Sequence, residues 1–254
     1  MKNKRLKIKK PGKDTMLLYG KNSVIERLKK NPRSINKIFL RDNYDEPDLE
    51  RLIKNRGLSL ERVSAKRLEK IKHSKDLQGI VASVDKFGYA DFDDLLDSPE
   101  KRSFIFLDRI NDPQNLGVII RTAACFGDFN VVIPKFEACP VTEAVLHVAS
   151  GAENYIPVSM VTNLTQAMLE AKKKGFWIVG GVVSEEAEYI NRISLPFPLG
   201  LVLGFEGKGI RYGVEKHLDI KARIPMKGTG LSFNVAVACA IFCYEIVRQR
   251  GDIK

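Results

Sequence analysis

Nowhere among the 254 residues is there an apolar run near the roughly twenty that a membrane-crossing helix needs. The N-terminus, Met1 to Lys13, is basic but lacks the apolar core of a secretion signal. A cytoplasmic location is therefore expected. Cysteine is scarce as well, with Cys125, Cys139, Cys239 and Cys243 forming no CxxC pair. His73, His147 and His217, the only histidines, do not complete a zinc set at sensible spacing. No metal is expected, and the four cysteines read as buried free thiols, since a reduced cysteine behaves as a small apolar residue. Internal repeats are missing, and low complexity is confined to the N-terminal tail.

Acidic residues are in deficit: 31 against 42 lysines and arginines, a net charge of +11. Residues 1–15 hold seven basic residues against Asp14 alone, so the remainder of the chain still carries about half of that excess. Lysine and arginine displace the counterions condensed on phosphates, so this balance suits a polyanionic partner, a nucleic acid. Hydrophobic residues at 44% and charged residues at 29% describe a soluble globular chain long enough to bury a core.

The organisation is read as a basic tail (1–15), a small α/β module (16–86), an acidic linker with Pro99 (87–102) and a larger domain (103–254). In the module, helices are expected at Asn22–Lys30, at Asp48–Asn55 ending on Gly57, and at Ala65–Lys72. Strands are expected at Lys37–Arg41 and Ile80–Val84. From Ser103 the pattern changes. Phe104–Leu107, Val131–Ile133, Phe176–Val179, Leu199–Leu203 and Ile220–Ile224 are short β-branched apolar runs. Helical segments lie at Leu116–Phe126, Thr142–Ala149, Leu164–Lys174 and Asn234 to about Gln249. Alternating strands and helices imply a parallel sheet covered on both faces.

Such sheets bind ligands beyond the carboxyl ends of their strands, and the unusual residues fall there. In LDRINDPQNLGVIIR (Leu107–Arg121) a strand gives way to a polar turn and a helix, with Asn115 and Arg121 roughly two turns apart on it. An amide near a helix N-terminus with an arginine beyond it can hold a phosphate or an activated hydroxyl. The plainer alternative is that Asn115 caps the helix and Arg121 pairs with a surface acid. LVLGFEGKGI (Leu201–Ile210) places Gly204, Gly207 and Gly209 around Glu206, where backbone can approach a ligand closely. It is neither GxGxxG nor a P-loop, which disfavours dinucleotides and ATP. IPMKGTGLSFNV (Ile224–Val235) puts Ser232 and Asn234 at the start of the last helix, where capping explains one of them and a pocket rim would use both.

Together, DPxNLGxxxRTAxxFG, LGxEGxG and IPMxGxxxSxN resemble the SpoU family of SPOUT methyltransferases, from about Phe104 to the C-terminus. LLYGKNSVIERL (Leu17–Leu28) and LQGIVASV (Leu77–Val84) are similar to the ribosomal-protein-like RNA-binding domain of a subgroup that methylates a guanosine ribose in 23S ribosomal RNA. The resemblance implies an α/β fold with a C-terminal trefoil knot, a homodimer with the final helix contributing to the site, and S-adenosylmethionine as cofactor. Gly180, Gly204, Ile224, Met226 and Phe233 match the family's cofactor loops. Asn115, Arg121, Glu206, Ser232 and Asn234 match its functional positions, with Arg121 as the activating residue and Glu206 orienting it or the Asn115 turn. Phe233 replaces the usual leucine and Gly181 a common threonine, which implies a tighter adenine side and one hydroxyl contact fewer. Alternatives within reach of the same residues are a transfer-RNA ribose methyltransferase and a catalytically silent RNA-binding assembly factor.

Overall fold

The computed structural model describes residues 15–205, 207–228 and 231–251, and the chain divides into two units after Phe87. In the first unit β1 (Thr15–Tyr19), β2 (Ile35–Arg41), β3 (Leu60–Val63) and β4 (Ile80–Asp85) form one sheet in the order β1-β4-β2-β3. β4 runs antiparallel to both neighbours, while β2 and β3 are parallel. Side chains alternate across the sheet: Leu17, Tyr19 and Val81 share one apolar cluster with Val63, Leu68 and Leu77. Helices α1 (Lys21–Lys30), α2 (Pro47–Asn55) and α3 (Ala65–Ile71) complete the unit. Gly57, at φ +65, follows the end of α2 in the left-handed conformation that glycine adopts without a Cβ penalty. Ser64 caps α3 by accepting from Arg67 N.

The second unit is built on seven strands, all parallel, in the order β7-β6-β5-β10-β8-β11-β9. They are β5 (Ser103–Asp108), β6 (Phe129–Pro134), β7 (Val158–Val161), β8 (Trp177–Gly181), β9 (Glu188–Tyr189), β10 (Leu199–Gly204) and β11 (Ile220–Arg223). The helices are α4 (Phe92–Leu96), α5 (Pro113–Phe126), α6 (Glu143–Ala149), α7 (Leu164–Lys173), α8 (Tyr212–Glu215) and α9 (Val235–Arg250). On one face Phe104, Phe106, Ile178 and Val202 pack with Leu164, Met168 and Val214. On the other, α5 contacts β6 and α9 contacts β10, with α5 and α9 side by side. Every residue of β5 and β6 is buried, as a strand covered on both faces requires.

Several sequence expectations need correcting. The segment 87–102 is no bare linker. Tyr89 Oη accepts from Val141 N at 2.8 Å, Ala90 N donates to Val158 O at 2.9 Å, and Phe92 of α4 lies 5.5 Å from the ring of Phe104. Asp93 and Asp94 are exposed on α4, whereas Leu96 and Phe92 belong to the core. β1, β3, β7 and β9 were not foreseen, because β3 (LERV) and β9 (EY) carry charge at or beside sheet edges, β7 is short and β1 adjoins the basic tail. Cys125 is exposed on the outer side of α5, whereas Cys139, Cys239 and Cys243 are buried. Cys239 and Cys243 Sγ stand 3.8 Å apart, and this contact, together with burial, pushes the Cys243 thiol well above its ordinary value.

Candidate active site at the carboxyl ends of the parallel strands

The motif loops meet at the ends of β5, β8, β10 and β11. β5 ends on Asp108, whose carboxylate is fully buried. It accepts from Arg211 N and Arg211 Nε, both at 2.8 Å, and so ties the glycine loop after β10 to the end of β5. The same loop folds back on itself: Gly209 N donates to Phe205 O at 2.8 Å. Gly204 lies under that turn. A Cβ there would stand 2.2 Å from Gly209 C and 2.3 Å from Ile210 N, so only glycine fits.

Asp112, with Pro113 next, caps α5 by accepting from Gln114 N at 2.9 Å. Asn115 is thereby relieved of capping, and its Oδ1 accepts instead from Asn234 Nδ2 at 2.9 Å. Asn234 is the N-cap of α9, its Oδ1 accepting from Ala236 N at 2.9 Å. The N-terminal ends of α5 and α9 thus converge, and the partial positive charge of each favours an anion there. Arg121 stands less than two turns along α5 from Asn115, exposed and without an ion pair among the described residues.

Beside this junction lies a cleft of about 480 Å³, and a recess of about 60 Å³ shares Gly181, Leu203, Ser232 and Phe233 with it. Gly204 lines the cleft, and Ile224 and Met226 line the recess. The volume falls in the range of small-ligand sites, and the walls mix apolar and polar surface. Lys208, Ser184 and Glu215 supply polarity. Glu215 is held by Lys221 Nζ at 2.6 Å, and that hydrogen bond raises the lysine above its ordinary value.

A model of the SpoU rRNA Methylase family matches residues 102–244 of this chain, more than half of it. The chain belongs to the SpoU rRNA methylase family. A second model, described as RNA 2'-O ribose methyltransferase substrate binding, matches residues 17–90. The putative TrmH family tRNA/rRNA methyltransferase YacO of Bacillus subtilis is 36% identical, over 93% of this chain and 96% of its own. The 23S rRNA (guanosine-2'-O-)-methyltransferase RlmB of Coxiella burnetii is 37% identical, over 92% and 95%. Among solved structures, the SpoU methyltransferase AviRb of Streptomyces viridochromogenes in complex with the cofactor AdoMet shares the fold. Its TM-score is 0.79 at 21% identity, covering 94% of this chain and 92% of the other.

Within this SpoU chain most of the expected residues fall into two groups, with Glu206 and Gly180 in neither. Gly204, Ile224, Met226, Ser232 and Phe233 surround the cleft and its recess. Asn115 and Asn234 form the adjoining junction, with Arg121 on the same helix as Asn115. Glu206 lies outside the described residues. Gly180 is buried, where a Cβ would stand 2.3 Å from Leu218 Cδ1, and the glycine at the cleft wall is its neighbour Gly181. Gly181 faces Leu203 and Phe242, each 2.8 Å from an added Cβ, so a threonine there would have to displace them. Asp108, Arg211 and Phe242 were missed; an acid ending a wholly apolar strand was the one available signal for Asp108.

Proposed function

We propose that this protein transfers a methyl group from S-adenosylmethionine to a ribose 2'-hydroxyl of RNA, on a guanosine of 23S ribosomal RNA. The observation that carries this is the Asn115–Asn234 hydrogen bond, which joins two helix N-termini beside a glycine-walled cleft. The cleft suits the cofactor: Leu203, Phe233 and Val182 offer apolar walls for a purine, while Ser232, Lys208 and Glu215 offer groups for an amino-acid moiety.

When bound, the cofactor supplies a methyl on a sulfonium, which leaves as a neutral thioether without a metal. A ribose hydroxyl is a poor nucleophile until its proton is withdrawn. A guanidinium does not act as a base at accessible pH, so Arg121 stabilises the developing alkoxide and orients the adjacent phosphate while the proton passes to solvent. Asn115 and Asn234 position that phosphate at the converged helix ends, and Ser232, in the lining of the cleft, positions the ribose and the cofactor. Glu206 orients Arg121 or the Asn115 turn.

The +11 charge suits an RNA partner, and ribosomal RNA is favoured by the N-terminal match and by relatives named for 23S guanosine methylation at 34% and 37% identity. Among the described residues no helix is long and apolar enough to cross a membrane, and the reading includes a cytoplasmic location. Exposed Val118 on α5 and Val237 and Tyr244 on α9 support a homodimer through these helices. The reading also includes the trefoil threading of the C-terminal segment. Mass-spectrometric mapping of ribosomal and transfer RNA from a deletion strain, with re-addition of the pure protein and S-adenosylmethionine, tests it. A single guanosine of 23S RNA should lose and regain its 2'-O-methyl. Loss at a transfer-RNA ribose moves the substrate, and no loss with no cofactor binding leaves an RNA-binding assembly factor.

A further inference from the structure

A second cleft, of about 350 Å³, opens at the carboxyl ends of β6 and β7 on the catalytic unit. Its lining includes Phe136, which is 61% exposed although it is a large apolar side chain. Lys135 Nζ lies 5.6 Å from the centroid of that ring, covering one face with a cation. The next residue, Glu137, adopts φ +56, a left-handed conformation that a non-glycine residue keeps only where its surroundings hold it. Its carboxylate pairs with Arg211: Nη1 donates to Glu137 Oε2 at 2.8 Å, while Nε is fixed on buried Asp108. One arginine therefore joins this cleft to the glycine loop of the cofactor cleft. Asn163 spends its Oδ1 in capping α7 at Gln166 N, 3.1 Å, which leaves its Nδ2 to donate.

The cleft thus presents an aromatic face backed by a cation, a carboxylate acceptor at Glu137 Oε1 and an amide donor at Asn163. That combination matches an unstacked nucleobase, which proteins grip by stacking on an aromatic ring and bonding its edge. A phosphate is disfavoured, since the arginine is already neutralised by two carboxylates. β6 and β8 are three strand spacings apart, roughly 14 Å, so a short stretch of single strand spans the two clefts. We propose that this cleft holds an unpaired base of the RNA substrate near the target ribose, with Phe136 as its stacking platform. The proposal rests on the RNA methyltransferase reading above.

The test compares Phe136→Ala and Phe136→Trp in methyl transfer to total ribosomal RNA from a deletion strain. Phe136→Ala should raise KM for RNA roughly 5- to 150-fold, the range one base–aromatic stack commands, and retain kcat. Phe136→Trp should keep the native KM. Melting temperature and S-adenosylmethionine affinity should stay native in both. In a Trp177→Phe background the indole introduced by Phe136→Trp should be quenched as the same RNA is titrated in. A native KM for Phe136→Ala, beside an active wild-type protein, overturns the cleft and spares the methyltransferase reading. An unquenched indole overturns the cleft whatever the activity. Wild-type protein that methylates no RNA overturns the reading on which the cleft depends.

Discussion

Replacing Gly204 by alanine adds one methyl where the structure has no room. The new carbon would stand 2.2 Å from Gly209 C, 2.3 Å from Ile210 N and 2.4 Å from Gly209 O. All three are backbone atoms, so no side chain can rotate away. To reach ordinary contact the turn must retreat by about an ångström, which disturbs the 2.8 Å bond from Gly209 N to Phe205 O. Overpacking of this kind costs about 1–3 kcal/mol. For a unit of this size that is a fall of roughly 2–12 °C in melting temperature. The larger effect is expected on the ligand, because the turn forms one wall of the 480 Å³ cleft. Losing one or two hydrogen bonds between that backbone and S-adenosylmethionine, at about 1.5 kcal/mol each, weakens binding roughly 10- to 100-fold. Calorimetric titration with S-adenosylmethionine measures this, and thermal melting follows the stability. Gly213→Ala is the control, since a methyl there meets nothing within 4 Å. A Gly204→Ala protein with native affinity and native melting would refute both the packing argument and the place of this loop in the cofactor site.

Arg121→Ala should slow methyl transfer about a hundredfold or more, as losing one preorganised donor does, with folding and cofactor affinity intact. Arg121→Lys should also be poor, because an ammonium lacks the planar fork; full activity of the alanine variant on its native RNA would remove this assignment. Asn234→Ala removes the α9 cap and the Asn115 bond together, so denaturant unfolding should show a loss of about 1–2 kcal/mol. Asn115→Ala leaves the cap in place and should cost less, with coupling between the two in a double-mutant cycle; strict additivity would argue against the bond. Deleting residues 1–15 should flatten the salt dependence of RNA binding by about 0.7–0.9 in log–log slope for each phosphate that the tail had neutralised, and an unaltered slope would show that it neutralises none.

Much of this protein was legible before any fold was known, because its local signals agree with one another. Apolar β-branched runs alternating with helical spacing define a parallel sheet, since a strand buried on both faces cannot alternate polar and apolar residues. The three motifs were visible as departures from that pattern: polar and glycine-rich stretches where a strand should hand over to a helix. Even Gly204 could be singled out, since a glycine ending a strand marks close backbone approach. What the linear order could not supply was partnership across distance. Asn115 and Asn234 are 119 residues apart, and Asn115 can bond Asn234 because Asp112 has taken the capping role on α5. Of two adjacent glycines, only packing decides that Gly180 faces Leu218 and Gly181 the cleft. The insertion of β10 between β5 and β8 is likewise a matter of long-range pairing, and it alone brings Arg211 onto Asp108. Local preference acts over a few residues, whereas the site is assembled from chain segments that meet only once the sheet has formed.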